Sequence, residues 1–466
     1  MKLSDLLAGL PPVRIIPGAR AQIAKQLLDT RTRLAVVDDD PTGSQTVHGV
    51  RVYLDWSRDT LRRALASDYL ASFFSVNTRA LPEREVEELA FALGHDLEEV
   101  ARSEGMSLLV ASRSDSTLRG HFPVEVDALV AGLGWRCDGV IIAPAFFEAG
   151  RYTVGDVHYV DQGDRVVPAN ETEFARDPTF AYQNANLKLW VEEKTGGRFK
   201  AEDVRSISLE TIRTGGPEAV TAELMHASDG RPVIVNAARY EDLEVFVLGL
   251  LAAESKGNRF IYRCAAPFVK VRGGIEDRPL LTAEEIGAPG GAGLIVAGSY
   301  VGKTSRQLEN LLETGLATGI EIRVEALLRE AEREAEIARV SKWASDHMAA
   351  GRSTAIYTSR AVLSTEKVDF LEAGKRIMAG LCEAVGRITA RPAFLVAKGG
   401  ITSMEIARVA LGIKGALVLG QIRDGVPVWK LGEESKWPGM PYIVFPGNVG
   451  DDDALREAVS ILSGDE

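Results

Sequence analysis

The sequence contains little cysteine: only Cys137, Cys264 and Cys382 occur in 466 residues. They lie far apart with no CxxC spacing, which excludes a cysteine zinc site and a disulfide framework. No apolar run reaches the ~18 residues that a membrane-spanning helix needs. The opening stretch, MKLSDLLAGLPPVRIIPG, places an acid and prolines among its apolar residues, which is atypical of a signal peptide. We therefore expect a cytoplasmic protein without a membrane partner.

Positive charge is also scarce. Lysine and arginine total 54 against 66 aspartate and glutamate residues, so the formal net charge is −12. An acidic protein is poorly suited to bind nucleic acid, and we expect no such partner. A small anion can still bind to a local cluster of arginines. At ~150 residues per domain, the length predicts two or three domains.

Short apolar runs recur along the chain, and amphipathic segments follow many of them. The runs include RLAVV, SLLVA, GVIIAPA and RPVIVNA in the first half, and GLIVAG, TAIYTS, AFLVAKGG, GALVLG and YIVFPG in the second. Apolar strands that alternate with helices predict an α/β fold of two domains, each with a mostly parallel sheet flanked by helices. A stretch rich in glycine and proline predicts a linker over 272–292 between domains over 1–271 and 293–466.

Three acids follow the first predicted strand in VVDDDPTGSQTVHGV. Asp38, Asp39 and Asp40 repel one another, so water, a cation or donors on a ligand must offset their charge. Ligands of open α/β sheets bind beyond the carboxyl ends of strands. One of these acids is thus a candidate to bind a substrate hydroxyl and act as a base. The alternative is a solvated turn in which one aspartate serves as a turn former.

A second polar turn, SRSDSTLRGHFP, carries Arg113, Asp115, Ser116 and Arg119 after another strand. Guanidinium groups donate in a fork that suits carboxylate or phosphate, and hydroxyls add neutral donors. The pattern indicates a site for a small polyhydroxy acid. In the alternative interpretation, Asp115 pairs with an arginine only to hold the loop.

Three further residues follow strands of the first half. Arg79, after ASFFSV, is another candidate for anion binding, and Arg151 and His158 follow GVIIAPA. His158 is a candidate ligand contact, although a histidine beside an aromatic residue is more often structural.

Glycine-rich turns follow three strands of the second half. They contain Gly298 and Ser299, then Lys398 to Ser403, then Gly447 to Gly450. The spacing from Gly298 to Gly302 is one residue short of a P-loop, which rules that motif out. Three such turns in one domain still indicate a nucleotide held by backbone amides. Each turn alone is also compatible with tight packing of a helix on a strand.

Taken together, DDDPTG, DSTLRG, PAFFEAGR with VHYV, ETEFARDP, KGGITS and PGNVG resemble, in this order, the four-carbon acid sugar kinase family. The resemblance spans nearly the whole chain. It implies a sugar-acid-binding domain followed by a nucleotide-binding domain. It also implies ATP-dependent phosphorylation of the terminal hydroxyl of a tetronate or oxo-tetronate. For such a kinase we expect Mg²⁺ between the phosphates of the bound ATP.

The resemblance, with the residue patterns above, assigns roles to individual positions. The catalytic candidates are Asp40, Asp39 and Asp115, with Asp40 favoured as the base. The candidates for binding the substrate are Arg79, Arg113, Ser116, Arg119, Gly120 and His158, with the carboxylate expected at Arg113 or Arg119. The candidates for binding the nucleotide are Gly298, Ser299, Lys398, Gly399, Gly400, Thr402, Ser403, Gly447, Asn448 and Gly450.

The leading hypothesis is therefore a kinase whose partners are a sugar acid and ATP, bound in a cleft that closes to exclude water. A nicotinamide-dependent dehydrogenase is a weaker alternative, because no GxGxxG follows the strands named above. A sensor that binds an acidic metabolite without turnover is the third hypothesis. The oligomeric state is open, with a homodimer as one candidate.

Overall fold

The computed structural model describes residues 1–40, 42–287, 290–298, 302–359, 370–447 and 449–464, with residues 370 and 371 described by their backbone only. Eighteen strands lie in these ranges. In chain order, β1 to β18 are Thr32–Asp38, Val50–Tyr53, Ala71–Ser75, Ser107–Arg113, Gly139–Ala143, Arg151–Val154, Val157–Asp161, Val166–Pro168, Arg205–Ile207, Arg231–Val235, Phe260–Cys264, Leu294–Ala297, Thr318–Ile322, Thr354–Thr358, Leu395–Lys398, Gly415–Arg423, Val426–Leu431 and Pro441–Phe445.

Sixteen α-helices connect or flank these strands within the described ranges. In chain order, α1 to α16 are Leu3–Leu7, Ala19–Asp29, Arg58–Ala66, Glu83–Ser103, Val124–Leu133, Leu187–Lys194, Gly216–Leu224, Tyr240–Ser255, Ala266–Arg272, Ala283–Ile286, Gly302–Glu313, Val324–Leu328, Glu330–Ala349, Phe370–Gly386, Gly400–Glu405 and Ala454–Ser463. Among the residues that the structure describes, no helix combines the length and apolar character that crossing a membrane requires.

The chain divides into two units, and the first comprises residues 1–43 and 55–277. Its main sheet is entirely parallel, in the order β3-β1-β4-β11-β5-β10-β9. The next two strands of this sheet along the chain, β3 and β4, pair with β1 on opposite sides, so β1 is a topological switch point. Ligands of such sheets bind at the carboxyl ends of the strands on either side of that point. A small antiparallel sheet, β6-β7-β8, belongs to the same unit.

The second unit comprises residues 44–54 and 278–466. Its strands follow the order β13-β14-β12-β15-β18-β17-β16-β2, in which the first five are parallel and the last three antiparallel. Here β12 is the switch point, because β13 and β14 lie on one side of it and β15 and β18 on the other. The prediction of an α/β fold with mostly parallel strands flanked by helices is confirmed.

Burial explains why the predicted apolar runs became strands. Val36 and Val37 of β1 and Val296 of β12 are fully buried, since helices cover both faces of each sheet. The charged stretch over 324–350 forms two helices, α12 and α13, because Arg329 between them has extended backbone dihedral angles. Residues 44–54 form an excursion of the chain into the second unit that the sequence analysis did not distinguish.

Candidate active site

The three acids after β1 differ in their surroundings. Asp38 is the last residue of β1, and Asp38 and Asp39 are almost completely buried. The side chain of Asp40 is 26% exposed. Asp40 donates its amide to Asp38 Oδ1 at 3.1 Å, while Asp40 Oδ1 accepts from the amide and the hydroxyl of Thr42, both at 2.8 Å. These bonds hold the acid turn in one conformation.

Two arginines from the neighbouring strands meet the acids. Arg79, in the helical turn Thr78–Ala80 after β3, places Nη2 2.6 Å from Asp40 Oδ2 and Nε 3.1 Å from Asp39 Oδ2. Arg113, the last residue of β4, donates from Nη1 to Asp38 Oδ1 at 3.3 Å. The same nitrogen lies 3.8 Å from Asp39 Oδ1 and 3.9 Å from Asp40 Oδ2. The switch point therefore brings acids from one turn and arginines from two others into a single cluster.

The turn after β4 extends this cluster. Asp115 Oδ1 lies 3.9 Å from Arg79 Nη1, and Asp115 Oδ2 accepts from Arg119 Nε at 2.7 Å. Arg119 also places Nη1 3.4 Å from Asp177 Oδ2. Gly120 has a φ of +110°, and a Cβ there would lie 3.4 Å from Asp39 Oδ2. Glycine thus permits both the backbone conformation and the close approach of this turn to the acids.

Burial and neighbouring charges shift the pKa values of these acids in different directions. Burial raises the pKa of Asp38 to about 7 and that of Asp39 to about 8, because loss of water penalises the charged carboxylate. Burial also acts on Asp40, but the charges of Arg79 and Arg113 and the donors of Thr42 outweigh it and hold the pKa of Asp40 well below its usual range. The pKa of Asp115 is lowered, since Arg79 and Arg119 likewise outweigh its burial.

His158 is fully buried in β7, and both its ring nitrogens are engaged. Nε2 lies 2.7 Å from the carbonyl oxygen of Ser116, so this nitrogen must donate. Nδ1 then accepts from the Thr153 hydroxyl at 3.0 Å. Burial lowers the pKa of His158 to about 4. The arrangement agrees with the interpretation of His158 as a structural residue, which holds the turn that contains Ser116 by a hydrogen bond to its carbonyl oxygen.

The sequence analysis missed two buried charged residues that support the cluster. Glu125 of α5 accepts from the hydroxyls of Thr78 and Ser112, each at 2.6 Å, and so joins the turn of Arg79 to β4. Arg263 of β11 donates to the carbonyl oxygen of Arg119 at 3.1 Å and stacks on Trp190 at 4.9 Å. A signal for Arg263 was present, because it is the one charged residue inside the apolar run FIYRC.

In the second unit, the predicted glycine turns follow adjacent strands. Lys398 of β15 is in register with Ala297 of β12 and Phe445 of β18, so Gly298, Gly399 and the turn at Gly447 lie along one edge of that sheet. Gly399 has a φ of +106° and donates its amide to Phe445 O at 2.7 Å. The arrangement agrees with the general position of ligand sites in such sheets.

Side chains tie these turns together. Lys398 is fully buried and donates from Nζ to Pro446 O at 2.6 Å and to Gly447 O at 3.3 Å. Burial lowers its pKa to about 7, and the charge of Lys303 adds to the effect. Gln307 Nε2 of α11 donates to Asp451 O at 2.6 Å, beside Gly450. A Cβ at Gly447 would meet no atom within 4 Å, so its turn has an open side.

The other nucleotide candidates differ in accessibility. Gly400 begins α15, and Thr402 and Ser403 are buried inside that helix. The Ser403 hydroxyl lies 2.7 Å from Ala397 O and 2.8 Å from Gly399 O, so it packs the helix against β15. Ser299 and Asn448 lie outside the described residues. Within the described residues, one group, His95, Asp96 and Glu99, is spaced to hold a metal ion, but Arg58 already pairs with both acids.

Two family models match the chain. One, described as a sugar-binding N-terminal domain, matches residues 34–272, and the other, described as a nucleotide-binding C-terminal domain, matches residues 294–455. The chain belongs to the four-carbon acid sugar kinase family. The family predicted from the sequence is thus confirmed. The prediction of a phosphotransferase that acts on an alcohol group is also confirmed at the level of the family.

Individual relatives agree with this membership. The chain is 26% identical over 464 residues to a D-erythronate kinase of Heliobacterium modesticaldum, which covers 92% of this chain and 97% of that protein. It is 34% identical over 152 residues to a D-threonate kinase of Bordetella bronchiseptica, covering 31% of this chain and 35% of that protein. The crystal structure of a Haemophilus influenzae protein has the same fold, with a TM-score of 0.65, 19% identity and coverage of 92% of this chain and 100% of that one.

Proposed function

We propose that this member of the family transfers the terminal phosphoryl group of ATP to the terminal hydroxyl of a four-carbon sugar acid. The observation that carries the proposal is the cluster at the switch point of the first unit, where Asp40 is partly exposed, ionised and held by Arg79 at 2.6 Å. Kinases need groups that position the acceptor hydroxyl and take its proton, rather than a covalent nucleophile. The D-erythronate and D-threonate kinases among its relatives support the four-carbon class.

We assign Asp40 Oδ2 as the atom that accepts the proton of the substrate hydroxyl. This carboxylate is the most exposed of the three acids after β1, so a substrate hydroxyl can reach it. Its low pKa makes it a weak base, but a loose transition state for phosphoryl transfer needs an acceptor in position more than a strong one. Asp39, with its raised pKa, is mostly neutral at pH 7 and serves the cluster as a buried partner of Arg79.

The second unit would hold the nucleotide. Backbone amides of the turns at Gly298, Gly399 and Gly447 suit phosphate oxygens, and the open side of Gly447 leaves room for them. Lys398, when protonated, adds positive charge beneath these turns. A bound nucleoside triphosphate with Mg²⁺ supplies the phosphoryl group and neutralises its charge. The Mg²⁺ requirement, the cytoplasmic location and a homodimer stay predictions.

The test is a substrate screen of the full-length protein. D-erythronate, D-threonate, their stereoisomers and the 3-oxo acids are supplied with ATP and Mg²⁺, and ADP release is read together with the mass of the product. We expect at least one acid to gain a single phosphate on its terminal carbon. Binding of an acid without ADP release would instead identify a sensor. Consumption of a nicotinamide cofactor would identify a dehydrogenase.

A further inference from the structure

The structure changes the choice of arginine for the substrate carboxylate. Arg113 is buried, and its Nη1 lies within 3.9 Å of all three acids that follow β1. Arg119 is bonded to Asp115 at 2.7 Å and lies 3.4 Å from Asp177. The positive charge of both predicted residues is therefore already matched by carboxylates of the chain. An incoming carboxylate at either one would have to compete with them.

Arg151, the first residue of β6, differs from both. Among the described residues, the one hydrogen bond of its side chain runs from Nη1 to the carbonyl oxygen of Ala149, at 2.6 Å. No acid of the described residues lies within 4.0 Å of its guanidinium, and its Nε is buried without a hydrogen-bond partner. Burial lowers the pKa of Arg151, and the charge of Asp115 opposes this effect. Arg151 is thus a half-buried guanidinium with no carboxylate beside it and a buried nitrogen that still lacks an acceptor, which an anionic ligand can supply.

The position of Arg151 connects it with the catalytic cluster. Arg151 lies over the ring of Phe174 at 5.8 Å, and Arg119 lies over the same ring at 5.1 Å. Arg119 contacts Asp115, which in turn faces Arg79 and so leads back to Asp40. Arg151 is thus connected with the proposed proton acceptor through the ring of Phe174 and a series of charge pairs.

We propose that Arg151 binds the carboxylate of the sugar acid and makes the enzyme specific for acids over neutral polyols. The assignment rests on the proposed function, since it names the residue that receives the far end of the same substrate. A guanidinium can hold a carboxylate by two parallel hydrogen bonds, which orients the substrate as well as retaining it. With the carboxylate at Arg151, the terminal hydroxyl is left to the acids that follow β1.

The test compares Arg151→Gln and Arg151→Lys with Arg176→Gln, a control that removes an exposed arginine two residues after Phe174. Kinetic constants are measured for each acid that the wild type accepts and for the corresponding tetritol, in which a hydroxymethyl group replaces the carboxylate. For Arg151→Gln we expect the KM of the acid to rise about 10- to 100-fold, as loss of a charged hydrogen bond predicts. The KM of ATP and the kcat/KM of the tetritol should stay at wild-type values, and Arg151→Lys should recover part of the loss.

Each outcome decides the assignment. An unchanged KM for the acid in Arg151→Gln, or an equal loss for acid and tetritol, overturns it while the proposed function stands. Calorimetric titration of D-erythronate and D-threonate without nucleotide provides a second measurement, together with a melting curve for each variant. If the wild type binds an acid but does not phosphorylate it, the proposed function fails, and the Kd of Arg151→Gln still decides the role of Arg151. If the wild type neither binds nor phosphorylates any acid, both proposals fail.

Discussion

Arg79 forms its shortest ion pair with Asp40, at 2.6 Å between Nη2 and Oδ2. The two residues follow β3 and β1, which are neighbouring parallel strands, so the pair joins two turns at the same edge of the sheet. Asp39, the preceding residue, also faces Arg79 but is buried and has a raised pKa. The pKa values of two adjacent aspartates are therefore shifted in opposite directions.

This difference predicts responses of very different size to the same substitution. Asp40→Asn removes an ionised acceptor, and we expect kcat to fall about 10²- to 10⁴-fold, the usual contribution of a positioned acid or base. Asp39→Asn replaces a mostly neutral carboxyl by a neutral amide of the same shape, so kcat should fall much less. Steady-state rates at pH 7 with the best substrate of the screen provide the measurement.

Asp59→Asn is the control for both variants, because Asp59 is exposed on α3. It should leave kcat unchanged. A large loss in Asp39→Asn with little loss in Asp40→Asn would assign the proton to Asp39 instead.

Nucleotide affinity should depend on pH through Lys398. Its pKa of about 7 means that the amine is charged at pH 6 and mostly neutral at pH 8. An anionic ligand is attracted only by the charged form, so the affinity for ATP should fall across this window, by up to about tenfold if binding shifts the pKa by one unit. Lys398→Met should bind ATP weakly at both pH values and lack this component. Calorimetric Kd values at pH 6 and 8 measure the effect.

Lys375→Met provides the matched control, since Lys375 is an exposed lysine of α14. Its Kd values should follow the wild type at both pH values. If Lys398→Met has the same pH dependence as the wild type, Lys398 does not contribute charge to the nucleotide.

His158 should act on stability rather than on substrate binding. Replacement by Gln leaves the carbonyl of Ser116 or the hydroxyl of Thr153 without its bond, which costs about 1–3 kcal/mol. The folded pKa of about 4 lies below the ordinary 6.5, so the unfolded chain takes up a proton first as the pH falls. The contribution of His158 is therefore complete above pH 6.5 and is lost as the pH falls towards 4.

Urea denaturation at pH 7.5 and pH 5 tests this sign. The difference in the free energy of unfolding between wild type and His158→Gln should be smaller at pH 5, while the KM of the sugar acid stays at its wild-type value. A raised KM with unchanged stability would show that His158 contacts the substrate after all.

Gly43 should tolerate no side chain. A Cβ there would overlap the carboxylate of Asp38, so Gly43→Ala must displace that side chain. We expect a loss of about 1–3 kcal/mol in the free energy of unfolding, as for overpacked sites, together with a loss of kcat. Gly374→Ala in α14 meets no atom within 4 Å and should stabilise the protein by about 0.5–1 kcal/mol. Equal effects of the two variants would contradict the close contact between Gly43 and Asp38.

Much of the fold was predictable because burial on both faces makes parallel strands apolar throughout. The run RLAVV became β1, and the rule for the carboxyl ends of strands then brought Asp40, Arg79 and Arg113 together. The antiparallel pairing of β16 and β17 was not predictable in the same way. Those strands are also mostly buried, and apolar runs do not reveal strand direction.

The pairing of charges could not be read from the sequence. Arg113, Arg119 and Arg151 all lie within or after strands of the first unit, and the sequence analysis expected the carboxylate at Arg113 or Arg119 rather than at Arg151. Which arginine an acid of the chain already occupies depends on distances of a few ångströms between separate turns. Asp115 pairs with Arg119 and not with Arg151, which only the three-dimensional arrangement reveals.

The short strand β2 limits how the protein can be divided into stable fragments. Its residues Val50 to Tyr53 pair with Gly415 to Val418 of β16, although some 360 positions separate the two in the chain. A fragment beginning at Arg278 would lack this strand, and the open backbone of β16 would then be free to pair with other molecules and aggregate. The glycine-rich half of the protein is therefore not a removable module unless residues 44–54 are carried with it, fused to an end or supplied as a peptide.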